Sequence, residues 1–157
     1  MKIFFFFMIS FVLAAAANAE TRSGFETEYD DFTDEPSHEL TFMTNDTTSP
    51  TGFAKLEALC SKEIREIHAG VGIHFGLDDK AAVTYRLDSV TPVTKNWTYN
   101  TDDNLAVSQD SEDFTLVEQM LAGEKFVIQV ETDRAWFDLA GHKQSIQTFL
   151  DACTTLP

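Results

Sequence analysis

The chain is short of positive charge, with 11 Lys and Arg against 26 Asp and Glu and a formal net charge of −15. Nucleic acid requires a basic footprint for its phosphates, so that class of partner is excluded. Adsorption to anionic lipid is disfavoured for the same reason. Cysteine is scarce, at 2 residues, and C-x-x-C is missing, which removes the redox motif and the common zinc knuckles. Glycine is equally sparing, at 7 residues. Neither G-x-x-x-x-G-K-[ST] nor G-x-G-x-x-G occurs, so the sequence offers no phosphate-cradling loop. The G-x-S-x-G elbow and H-E-x-x-H are absent as well. No repeat, low-complexity tract or linker divides the chain.

One long apolar run is present, and it lies at the start. Lys2 provides a positive n-region, Ile3 to Ala17 are almost wholly apolar, and Ala17-Asn18-Ala19 forms an A-x-A site before Glu20. That layout is a secretory signal peptide. The run is shorter than the ~20 residues of a spanning helix, so residues 1–19 are expected to be removed with no membrane insertion afterwards. The leader carries one cation and no anion, so its loss takes the net charge from −15 to −16. What remains suits one domain, read as an acidic segment over 20–52 and a single β-rich domain over 53–157. Cys60 and Cys153 both lie in this exported part. An even pair in an oxidising compartment predicts a structural disulfide, closing most of the domain into one loop.

Residues 20–36 read as a solvated, acidic edge segment with aromatics at Phe25, Tyr29 and Phe32. Its carboxylates do not follow the D-x-[DN]-x-[DN]-G spacing of a calcium loop. Leu40, Phe42 and Thr44 alternate with polar neighbours as a weak strand, and 45–52 is a polar loop broken by Pro50 and Gly52. Phe53–Cys60 and Ile67–Phe75 read as neighbouring strands across a charged turn at 61–66. In the second, Ala69, Val71, Ile73 and Phe75 share one face, with His68, Gly70, Gly72 and His74 on the other. Glycines there mark a bulge or a close backbone approach. Turns are expected at Gly76 with Asp78-Asp79, and at Asp102 to Asn104.

Val83, Tyr85 and Leu87 alternate with Thr84, Arg86 and Asp88, and Val93, Trp97 and Tyr99 with Thr94, Asn96 and Thr98. A short strand follows at 105–107. Ser111 as N-cap, with Glu112 and Asp113 in the first turn, starts a helix whose stripe is Phe114, Val117 and Leu121. Gly123 takes the position of a left-handed C-terminal residue. Phe126, Ile128 and Val130 read as a strand, then a turn near Asp133-Arg134, then a strand over 135–139. Ile146, Phe149, Leu150 and Cys153 fall at i, i+3, i+4 and i+7 on a closing helix, so the disulfide would tie that helix to the strand ending at Cys60. The fold class is therefore α+β, mainly antiparallel: a β-sandwich or partly closed barrel with two helices. Its core should include Tyr85, Trp97, Phe126, Ile128, Phe137, Ile146 and Phe149.

Candidate sites are few. His68 and His74 stand six residues apart on one strand, ~20 Å, too far to share a zinc ion. His38 and His142 have no ligand-spaced partner, so surface histidines, no metal and no cofactor are expected. Asn45-Asp46-Thr47 and Asn96-Trp97-Thr98 are glycosylation sequons, meaningful in a eukaryotic source. Trp97, alternating with polar residues, belongs in the core. Trp136 faces away from Ala135 and Phe137 and is the leading candidate for an exposed contact, with Arg86 as a second. No catalytic residues are assigned.

The order of landmarks resembles a known family. Cys60, a glycine-bearing strand, Val83-Thr84-Tyr85-Arg86-Leu87-Asp88, and Trp97-Thr98 are followed by a helix at 114–121 and the strand 125–130. Phe137-Asp138-Leu139-Ala140-Gly141 and a helix closing at Cys153 complete it. Over residues 56–153 this is similar to the type VI secretion-associated periplasmic accessory proteins of the VasI/TagO type. The acidic N-terminal segment and the histidines on the glycine strand depart from the pattern. The resemblance implies a non-enzymatic, periplasmic or secreted binding module of the cell envelope, contacting a protein or envelope component. An inhibitor of a basic enzyme such as a lysozyme, and a small secreted hydrolase, are the alternatives.

Overall fold

The computed structural model describes residues 20–72, 79–100, 104–108 and 110–156. The expectations placed on the leader, on Ile73 to Asp78 (His74 among them), on Asp102-Asp103 and on the side chains of Ser111 and Glu112 lie outside the described residues. The strands are β1 Thr21–Tyr29, β2 Pro36–Thr44, β3 Ala54–Cys60, β4 Arg65–Val71, β5 Lys80–Leu87, β6 Val93–Asn100, β7 Leu105–Ser108, β8 Lys125–Val130 and β9 Asp133–Asp138. Helix α1 is Ser111–Ala122, and α2, Lys143–Thr154, follows a 3-10 turn at Ala140–His142. The strands form one antiparallel sheet in the order β1-β2-β3-β4-β7-β6-β5-β8-β9. The expected α+β class is what the chain adopts.

Period-two alternation sorts the side chains. Leu40 and Phe42 of β2, Leu56 of β3, Ile67 and Ala69 of β4, Val83 of β5, and Phe126 and Ile128 of β8 are all buried on the inner face. Both helices cover that face, α2 against β1 and β2, and α1 against β4 and α2. Phe149 of α2 meets Phe25 and Phe114 at ring separations of 6.5 and 5.9 Å, and Phe126 meets Phe137 at 6.3 Å. Each such buried ring contributes roughly 1.5–3 kcal/mol of transfer free energy. Cys60 and Cys153 are bonded, with Cα atoms 5.9 Å apart, so the end of β3 holds the last turn of α2. Trp97, Phe126, Ile128, Phe137, Ile146 and Phe149 are buried as expected, while Tyr85 is half-buried.

The sheet is not closed into a full barrel. The free edge of β9 is instead met by the segment after β2 and by Thr21 at the start of β1. Trp136 donates its backbone N–H to Asp46 O (2.9 Å), Thr48 donates to Arg134 O (2.8 Å), and Asp138 N–H reaches Thr21 Oγ1 (2.8 Å). These bonds satisfy an edge that would otherwise offer open donors to another chain.

Four local expectations are corrected. The β8–β9 turn is Glu131-Thr132, with β9 beginning at Asp133 and not 135, because Val130 pairs with Asp133. Glu131 takes the left-handed conformation there (φ 52°), and its carboxylate accepts the Ala82 N–H at 2.6 Å. Gly123 is not left-handed: among the described residues the positive-φ glycines are Gly52 and Gly72. It is small because the Leu87 side chain occupies the place of a Cβ. At Gly70 and Gly72 the close neighbours are side chains, of Leu105 and Asp133, and Gly72 adds φ +82°. His38 is not at the surface but buried, bonded to Thr27 Oγ1 at 2.9 Å and stacked on Phe25.

Candidate contact surface

The three strands at the β9 end place the two expected contact residues together. Arg86 of β5 is in register with Val127 of β8, and Val127 with Trp136 of β9. The inward neighbours, Phe126 and Phe137, are buried, so this row points outward by the same alternation. Two strand spacings separate the ends of the row, ~10 Å. A large side chain of a partner can therefore bridge Arg86 and Trp136 across Val127.

Trp136 is half-buried and held in place. The Arg134 guanidinium lies 5.8 Å from its ring centroid and is itself fixed by Gln129 Oε1, at 3.1 Å from Nε and 2.6 Å from Nη2. Such cation–π stacking leaves one face and edge of the indole for other contacts. Arg86 is exposed, and its guanidinium makes no hydrogen bond or ion pair among the described residues. Two recesses flank the row. One, of about 640 Å³, is bounded by Arg86, Asp88, Lys125, Trp136, Asp138 and Asp46; the other, of about 150 Å³, by Arg86, Pro92, Gln129, Arg134 and Trp136.

Two carboxylates of the larger recess, Asp88 and Asp138, are committed to the backbone. Asp88 Oδ1 accepts the N–H groups of Lys125 (2.8 Å) and Glu124 (3.0 Å), which hold its pKa below the ordinary carboxylate range. Asp138 Oδ1 accepts the Ala140 N–H at 3.0 Å. They fix the turns around the recess, which Arg86 and Trp136 line beside Lys125, Glu124 and Asp46.

Two titratable clusters lie elsewhere, and the sequence pattern revealed neither. At the start of α1, Asp113 is buried and accepts from Lys95 Nζ, Ser108 Oγ and, at 3.4 Å, Tyr85 Oη. The Lys95 ammonium is pushed up by that bond, and the Tyr85 phenol is pushed up by burial, then by the Asp113 charge. This network joins β5, β6 and β7 to α1. On the outer face of β2 and β3, Glu57 is buried beside Glu39 and ion-paired to Lys55. Burial raises Glu57, with Lys55 opposing, whereas the Thr41 hydroxyl bond at 2.6 Å lowers Glu39. Glu57 occupies the outward parity of β3, so alternation predicts exposure; only the packed neighbours reverse it.

The other described histidines, His68 and His142, are held by neighbours in the fold. His68 Nε2 pairs with Glu66 at 2.9 Å, and His142 bonds Ser23 Oγ (2.8 Å) and Thr21 O (3.0 Å). Among the described residues, no group of three His, Cys, Asp or Glu side chains is placed to hold a metal ion. No described helix is long and apolar enough to cross a membrane. The chain matches no family model, and no curated protein or solved structure is significantly similar to it.

Proposed function

We propose that the chain is an exported, non-enzymatic binding module of the bacterial cell envelope. It works by protein contact through the Arg86–Val127–Trp136 row, in the manner of the type VI secretion-associated accessory proteins it resembles. The observation that carries this reading is the row itself: an unpaired Arg and a braced Trp on rigid strands, beside a recess of about 640 Å³. Trp and Arg dominate the energetics of protein interfaces, and bracing lowers the entropy lost on binding. The disulfide fits an oxidising compartment, as export requires. The net charge of −16 that remains once the leader is lost favours a partner with a basic surface through steering, while Arg86 selects a carboxylate at the contact itself.

The test is capture from an envelope extract at low and high salt, alongside turnover assays on peptidoglycan and glycans. The expected result is an envelope or secretion-system protein retained at low salt and lost when Arg86 or Trp136 is replaced. Turnover without a retained partner would replace the binding module with a hydrolase.

A further inference from the structure

We infer that the β1–β2 turn is a second docking element, built to insert Phe32 into an apolar pocket on a cationic protein. Phe32 is 97 % exposed, Tyr29 beside it 66 %, and Ile64 of the facing β3–β4 turn 46 %. Phe25, seven residues earlier on the same hairpin, packs against Phe149, whereas Phe32 is almost fully exposed. An aromatic side chain carries ~150–250 Å² of surface, and full exposure forgoes that burial until a partner covers it. Phe32 is presented in a fixed turn. Asp30 Oδ1 accepts the N–H groups of Phe32 (2.9 Å) and Thr33 (2.8 Å), and Asp30 N–H closes the loop onto Glu35 O at 3.0 Å. A partner therefore loses little entropy in ordering it.

Charge selects the occupant. Asp30, Asp31, Asp34 and Glu35 surround Phe32, and the nearby cation, Lys62, is already paired with Glu35 at 2.9 Å. Anionic lipid and a second copy of this acidic chain are repelled; a cationic protein surface with an apolar pocket is attracted. The strand β1 separates this turn from Thr21 at the rim of the Arg86–Trp136 recess by eight residues, ~26 Å. The two surfaces are thus spatially distinct, and this inference does not rest on the first.

The test places p-benzoylphenylalanine at position 32 of the full chain and irradiates it with an envelope extract of the source cell. The expected adduct is a protein of basic isoelectric point, with the cross-link mapped to an apolar pocket. Its yield should fall about tenfold between low and high salt, and equally with Asp31→Lys and Asp34→Lys together. Trp136→Ala should leave the adduct intact, which separates this surface from the first. Phe32→Ser should keep the melting temperature within about 1 °C, because nothing packs on the ring. No adduct, an adduct to lipid, to an acidic protein or to a second copy, or a yield insensitive to salt, would overturn the inference.

Discussion

Removing the Cys60–Cys153 bond should cost about a third or more of this fold's stability margin. The bridge spans 93 residues. The loop-entropy relation for that span gives about 4–5 kcal/mol at 25 °C, acting through the unfolded chain. Native domains hold only ~5–15 kcal/mol in total. For a domain of this size each kcal/mol moves the midpoint by roughly 4 °C, so the double substitution Cys60→Ala, Cys153→Ala should lower it by about 15–20 °C. Both sulfurs are buried, and the lost volume adds to the effect. The assay is thermal and urea unfolding with and without reductant. Reductant should bring the unsubstituted chain close to the double variant and leave the variant unmoved. The urea slope should also rise when the cross-link is gone, since the freed unfolded chain exposes more surface. Oxidised and reduced midpoints within about 2 °C of each other would refute the entropic reasoning.

Three further outcomes follow from particular contacts. Asp113→Ala should lower stability by about 2 kcal/mol, read by urea unfolding, because it strips Lys95, Ser108 and Tyr85 of a common acceptor; Lys95, a third exposed, recovers part of its hydration. Adding Lys95→Met should restore part of that loss. Glu57→Gln should change stability in a pH-dependent way. Because the Glu57 pKa is raised in the fold, its stabilising effect is complete below the ordinary carboxylate range and lost as pH rises through the raised value. The variant's melting temperature relative to the parent should therefore be more favourable at pH 8 than at pH 4, and the opposite order would contradict the assigned cause. Gly123→Ala and Gly123→Asn should both destabilise, by about 1–3 kcal/mol, through collision with Leu87; a tolerated Asn would show a left-handed cap after all.

Periodicity made much of this fold legible. The strands around Val83–Leu87 and Phe126–Val130 and the stripe Ile146–Phe149–Cys153 sit where alternation and helical spacing place them. The same alternation put Trp136 outward, opposite Phe137, and Arg86 outward on β5. What it could not provide was their adjacency, since β5 and β8 are joined only through the sheet order. Gly123 misled because two physical demands, positive φ and lack of a Cβ, select the same residue. The Glu131-Thr132 turn was missed because neither residue is a usual left-handed one, and a contact with Ala82 from a distant strand holds it. Glu57 and Asp113 escaped for a related reason: a single charged letter does not tell whether neighbours will enclose it.

The central claim is tested most directly by equilibrium binding of the captured envelope partner to the oxidised chain and to its Trp136→Ala and Arg86→Glu variants. Each substitution is expected to weaken the dissociation constant by about 30-fold, as hot-spot residues do, while the melting temperature moves by only a few degrees. Affinity unchanged in both variants, with the fold intact, would contradict the assignment of this row as the binding surface.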